Sequence, residues 1–126
     1  MNIVVFENEY SNICASFQAV NLIYFKNKFK ITDYASSQTC PDLNNITKDS
    51  CIFVDIDLSS KSNMDGFELI EELLRIGFPR KNIVILTGHV HIADKAMERG
   101  LGDLPIVTKP IDFNSLRASL EPFKSQ

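Results

Sequence analysis

Cys51-Ile52-Phe53-Val54-Asp55 is an apolar run that ends in a carboxylate. Its β-branched and aromatic residues read as a strand buried on both faces of a parallel sheet. A carboxylate placed where such a strand emerges points to a working group. Three further runs end the same way. Ile3-Val4-Val5-Phe6 leads into Glu7-Asn8-Glu9, Ile83-Val84-Ile85-Leu86 into Thr87, and Ile106-Val107-Thr108 into Lys109. Ligand sites of open parallel sheets lie beyond the carboxyl ends of the strands, where strand order reverses. The four endings then meet in one crevice: an acidic cluster, a candidate nucleophile, a hydroxyl and an ammonium. That set suits a phosphoryl group held by a divalent metal.

The bulk properties narrow the field. A chain of 126 residues makes one domain, 1–126, with core enough to fold alone. Net charge is −3 and no basic stripe is visible, which disfavours direct nucleic-acid binding by this domain. No apolar stretch reaches membrane-spanning length. Asn2 leads straight into a strand, without a basic segment and cleavable apolar run. Cys14, Cys40 and Cys51 form no even-numbered or metal-spaced set. Cys51 reads as strand packing. The expectation is a reduced, cytoplasmic protein.

Around the four runs, strands alternate with amphipathic segments. The pattern predicts strands at 2–6, 29–32, 51–55, 82–87 and 105–109. It predicts helices at 11–27, 36–46, 66–76, 91–99 and 113–121. Ser11 is the expected cap of the first helix, with Ile13, Phe17, Val20 and Tyr24 on its inward face. Pro41 suits the first turn of the second. Phe67, Ile70 and Leu74 form one stripe of the third helix, and Leu69, Leu73 and Ile76 another. Gly77 and Pro79 end it. Phe113, Leu116 and Leu120 face inward on the last. Five such units with right-handed crossovers give a doubly wound five-stranded parallel sheet with helices on both faces.

Taken together, four blocks resemble the receiver domain of bacterial response regulators. They are Val5-Phe6-Glu7-Asn8-Glu9; Phe53-Val54-Asp55 with Met64-Asp65-Gly66-Phe67-Glu68-Leu69; Ile85-Leu86-Thr87-Gly88; and Thr108-Lys109-Pro110. The resemblance spans essentially the whole chain and implies a CheY-like sheet of order 2-1-3-4-5. It implies Asp55 as acceptor of a phosphoryl group from a histidine kinase or phosphotransfer protein, with Thr87 and Lys109 assisting. It implies magnesium on Glu7, Asn8, Asp55 and the backbone carbonyl of Asp57. It implies a cis bond between Lys109 and Pro110. The modified domain would switch binding of a downstream protein target or output domain. A homodimer would form through the face of residues 91–99, 105–109 and 113–121. The domain would catalyse only its own phosphorylation and dephosphorylation.

The chain departs from that pattern in four places. Asn8 stands where the family usually has a second acid, so metal affinity should fall. Ser59 takes a common proline position, and Ser59 to Asn63 lengthen the loop by about three residues, which costs little free energy. Asp57 and His89, each two residues beyond a site residue, are expected to pair at the site mouth and tune dephosphorylation. Ile106 replaces an aromatic residue that often switches. Asn8 also supports an alternative, a degenerate receiver that binds its partner without phosphorylation. A third reading is enzymatic. Asp55-Ile56-Asp57 resembles the Asp-x-Asp motif of haloacid-dehalogenase-type phosphatases, but that family usually carries it on the first strand. Here some fifty residues precede it, and the late acids near a strand end are Asp103 and Asp112. No glycine-rich phosphate loop follows the first strand, which disfavours flavin and dinucleotide binding.

Overall fold

Every residue of Cys51–Asp55 and of Ile83–Thr87 is buried, as strands covered on both faces must be. These are β3 and β4. In the computed structural model, which describes residues 2–40, 42–58, 62–89 and 91–123, they lie at the middle of one parallel sheet. The other strands are β1 (Asn2–Phe6), β2 (Lys30–Tyr34) and β5 (Ile106–Thr108), and the order is β2-β1-β3-β4-β5, as expected. Four α-helices occur among the described residues: α1 (Cys14–Phe25), α2 (Gly66–Arg75), α3 (Ile92–Glu98) and α4 (Phe113–Leu120).

Alternation along the strands makes two cores. Val4, Phe6, Ile52, Val54, Ile83 and Ile85 face α2 and α3, meeting Phe67, Leu69, Ile70, Leu73, Ile92 and Ala96. Ile3, Val5, Phe53, Val84 and Leu86 face α1 and α4, meeting Phe17, Val20, Phe25, Leu116 and Leu120. Phe17 sets its edge against Phe53 with centroids 5.0 Å apart. Cys51 is fully buried in the strand, as expected.

The predicted helix at 36–46 is absent. Two 3-10 turns, Ser37–Thr39 and Leu43–Asn45, replace it. The local chemistry explains why. Ser36 and Thr39 bond each other's backbone, and the Asp42 carboxylate accepts the Asn44 N–H at 2.9 Å. Ser, Asn and Asp side chains compete with helical hydrogen bonds in this way. Pro41 lies outside the described residues. The turns leave a cleft of about 270 Å³ over the β1–β2 end of the sheet, lined in part by Val4, Thr32, Tyr34 and Ile46.

The first helix is shorter than its pattern. Ser11 does not cap it; a 3-10 turn at Tyr10–Asn12 comes first, and Ile13 stands at the cap without a side-chain bond. Lys26 and Asn27 take left-handed backbone conformations, φ 53° and 59°, and stop it at Phe25. Tyr24 is exposed rather than inward, with the Arg117 guanidinium over its ring at 4.9 Å. Asn21 is buried instead. Its side-chain amide donates to the Phe29 carbonyl at 2.8 Å and accepts the Phe29 N–H at 3.1 Å, which fixes the entry to β2 and places that strand at 30–34, not 29–32. Phe113 is likewise half-exposed, because Asp112 caps α4 through the Asn114 N–H and leaves Phe113 at the outer edge of the first turn.

Candidate functional site

The sheet brings the predicted residues together. The chain leaves β1 toward β2 on one side, and β3 returns to the other side of β1, so strand order reverses there. Asp55 closes β3 and Thr87 closes β4; Glu7 follows β1 and Lys109 follows β5. Backbone bonds fix these ends. The Glu7 N–H donates to Tyr34 at 3.0 Å, Ile56 to Leu86 at 3.0 Å, and Lys109 to Thr87 at 2.7 Å. The Lys109–Pro110 bond is cis, as the resemblance implies.

Glu7, Asp55 and Thr87 are each 2% exposed or less. The Lys109 ammonium bridges the two acids. It donates to Glu7 Oε2 at 2.9 Å and lies 3.4 Å from Asp55 Oδ2. The ammonium is within ion-pair reach of Asp55, but Glu7 holds it more closely. The extra methylene of glutamate is the signal in the sequence that accounts for this reach. Asp55 Oδ1 accepts the Asp57 N–H at 3.0 Å, and Glu7 Oε1 accepts the Glu9 N–H at 3.1 Å. Burial is the main reason the Asp55 carboxyl titrates at about 6. Repulsion and a shared hydrogen bond with Glu7 add to that rise; the Asp57 N–H and the Lys109 charge work against it. Burial opposes the charge on Lys109 too, but Glu7 and Asp55 together outweigh it and raise its pKa.

The Thr87 hydroxyl oxygen accepts the His89 N–H at 3.0 Å, which leaves its proton free to donate. A Cβ at Gly88 would meet nothing within 4 Å, so the approach on that side is open. Asp57 and His89 do pair, Oδ2 to Nε2 at 2.5 Å, with both side chains more than half exposed. Asn8 is exposed on the loop after β1, and Ile106 is half-buried against the α2–α3 core. Asp65 and Glu68 form a reciprocal cap on α2, so Asp65-Gly66 is helix-start chemistry. Gly66 does more than the sequence reveals. A Cβ there would lie 2.3 Å from the Asp55 carbonyl oxygen and 2.5 Å from Ile56 Cα, so α2 starts directly on the backbone of Asp55. Ser59 to Lys61 lie outside the described residues.

Among the described residues no group of three His, Cys, Asp and Glu side chains is arranged to hold a metal. The remaining donors are still of the right kind for a hard cation: carboxylates of Glu7 and Asp55, the Asn8 amide and the Asp57 carbonyl. The set fits magnesium by ligand type. Its charge is low, because Lys109 cancels one of the two carboxylates.

No family model matches the chain, and no curated protein matches it. Solved structures do. The signal receiver domain of a DNA-binding response regulator from Colwellia psychrerythraea 34H is 18% identical, with a TM-score of 0.76 over 100% of this chain and 99% of that one. A CheY-like response regulator receiver domain from Methanospirillum hungatei JF-1 is 15% identical, with a TM-score of 0.73 over 98% and 93%. Full-length FixJ from B. japonicum is 23% identical, with a TM-score of 0.68 over 99% of this chain but 58% of that one. The chain therefore has the fold of response regulator receiver domains, a five-stranded CheY-like sheet. No helix among the described residues is long and apolar enough to cross a membrane.

Proposed function

We propose that this chain is the phosphoacceptor receiver of a two-component phosphorelay. Asp55 takes a phosphoryl group from a histidine kinase or phosphotransfer protein, and the product alters binding to a downstream protein or output domain. The observation that carries this reading is the buried Asp55 carboxylate with the Lys109 ammonium 3.4 Å away. An Asp55 oxygen attacks phosphorus, the P–N bond of the phosphohistidine breaks, and the imidazole leaves with the electron pair and regains a proton from solvent. An acyl phosphate results. Lys109 exchanges its carboxylate contacts for a phosphoryl oxygen, and the Thr87 hydroxyl donates to another. Magnesium, when bound, neutralises charge on the phosphoryl oxygens; Glu7, Asn8, Asp55 and the Asp57 carbonyl are the groups to hold it.

The chain acts on itself and is not an enzyme for other substrates. Asp103 is engaged by Arg80 and Asp112 caps α4, which gives the phosphatase reading no support. A degenerate receiver is the second reading, favoured by the neutral Asn8 and by the hold of Glu7 on Lys109. Intact mass after incubation with magnesium and acetyl phosphate separates the two. One phosphoryl group on the parent and none on Asp55→Asn is the expected result. No gain in mass from acetyl phosphate or from the cognate kinase, with the protein folded, overturns the first reading and favours the second.

The approach of the kinase has a surface to use. The twelve residues of α1 include no charged side chain, and Leu22 and Ile23 are 58% and 63% exposed. The helix begins after the segment that follows Glu7, and Leu22 and Ile23 lie in its last turn, about 12 Å along from that start. Leu22→Asp with Ile23→Asp is expected to slow transfer from the cognate kinase at least roughly tenfold, the loss of a small apolar contact patch. Labelling by acetyl phosphate should be unchanged. Equal transfer rates for variant and parent would place the kinase elsewhere.

A further inference from the structure

Two acids compete for the Lys109 ammonium, and the proposed reaction adds a third anion, the phosphoryl group. In the resting chain the closer hold belongs to Glu7, 2.9 Å from its Oε2 against 3.4 Å to Asp55 Oδ2. Both partners of that closer pair are fixed. The Glu7 N–H donates to the Tyr34 carbonyl at 3.0 Å, and Glu7 Oε1 accepts the Glu9 N–H at 3.1 Å. The Lys109 N–H donates to the Thr87 carbonyl at 2.7 Å. The Glu7 side chain is 2% exposed, so little water reaches it to replace the ammonium. A buried carboxylate stripped of its cation is strongly disfavoured. Asn8 beside it is neutral and exposed and supplies no charge in its place.

We infer that Glu7 serves two cations in turn: Lys109 in the resting chain, and a divalent ion once the phosphoryl group has drawn Lys109 away. Glu7 is a lysine-holding residue first and a metal ligand second. Its carboxylate cannot face both at short range, because the two cations repel each other strongly where little water screens them. When Lys109 moves to a phosphoryl oxygen, Glu7 Oε2 is left without its partner and with its charge uncompensated. Phosphoryl and divalent-ion binding then favour each other, by the same factor in both directions. The longer arm of glutamate is what brings Glu7, rather than the acceptor, hard against the ammonium.

The coupling rests on the receiver reading, but the hold of Glu7 does not, so the two are measured apart. In the unmodified protein, without metal, the Lys109 ammonium is followed by nitrogen resonance of the lysine side chains. Its signal should survive Asp55→Asn and vanish in Glu7→Gln, since the bond to Glu7 is what slows exchange of its protons. A signal that survives Glu7→Gln, or is missing from Asp55→Asn, would overturn the hold. Manganese binding, read by electron resonance, comes next. Lys109→Met should tighten it at least roughly tenfold in the parent but less than roughly threefold beside Glu7→Gln, because the charge released lies on Glu7. Equal gains in both backgrounds, or no binding even by Lys109→Met, would overturn the competition for Glu7. The last arm adds beryllofluoride, a stable phosphoryl mimic. It should tighten manganese binding at least roughly tenfold, and by a clearly smaller factor in Glu7→Gln. An equal factor in the two proteins overturns the coupling. If neither beryllofluoride nor a phosphoryl group is taken up, the receiver reading fails, and the first two measurements alone decide whether Lys109 and a divalent ion exclude each other on Glu7.

Discussion

In chelator at pH 7.5, Asp55→Asn is expected to be more stable than the parent, by an amount on the order of 2–3 kcal/mol. The advantage should disappear near pH 4. The Asp55 carboxyl titrates at about 6 in the folded chain, against 3.8 ordinarily. Between those values the folded state binds the proton more tightly than the unfolded chain. Stability therefore falls as pH rises through the window, and the full penalty stands above pH 6. Asparagine has nothing to ionise. It keeps an oxygen for the Asp57 N–H, and Lys109 keeps Glu7. Thermal or urea unfolding of both proteins at several pH values measures the difference. Parallel curves from pH 4 to 8 would contradict the assigned shift. The penalty at Asp55 is what a site prepared for charge neutralisation should show in its free form.

The second large effect concerns Asn8. Replacing it by aspartate adds one negative charge to a donor set whose two carboxylates already share one ammonium. Magnesium affinity should rise roughly tenfold to a hundredfold, since ligand charge count is a main determinant of such sites. The chain has no tryptophan, so calorimetry or manganese resonance is the suitable measurement. Asn114→Asp, at the start of α4, is the control for a remote charge. An affinity unchanged by Asn8→Asp would show that this position does not reach the cation. Faster labelling by acetyl phosphate should accompany the tighter binding.

Much of this was legible in the chain itself. A strand ending in a functional group is a local pattern, and four of them in order specify both the sheet and its site. The cis bond at Lys109–Pro110 and the meeting of Asp57 with His89 followed from the resemblance. What escaped was set by competition or by distance. At 36–46 the apolar residues allowed a helix, but serine, threonine and aspartate side chains took the backbone bonds that a helix needs. Tyr24 had the right spacing, yet Asn21 satisfied the Phe29 backbone and turned the end of α1. Ser62 Oγ accepts the Ser37 N–H, a contact between residues too far apart for periodicity to register. The hold of Glu7 on Lys109 spans nearly the whole chain, and only the length of the glutamate hinted at it.

Gly66 has a mechanical meaning. With no side chain there, the first turn of α2 rests on the carbonyl of Asp55, and its N–H reaches the Ile56 carbonyl at 3.3 Å. The joint has no padding to absorb movement. Ten residues of α-helix make a rod about 15 Å long. A shift of the Asp55 backbone would press on the end of that rod, which sets Asp55 at the fulcrum of a lever.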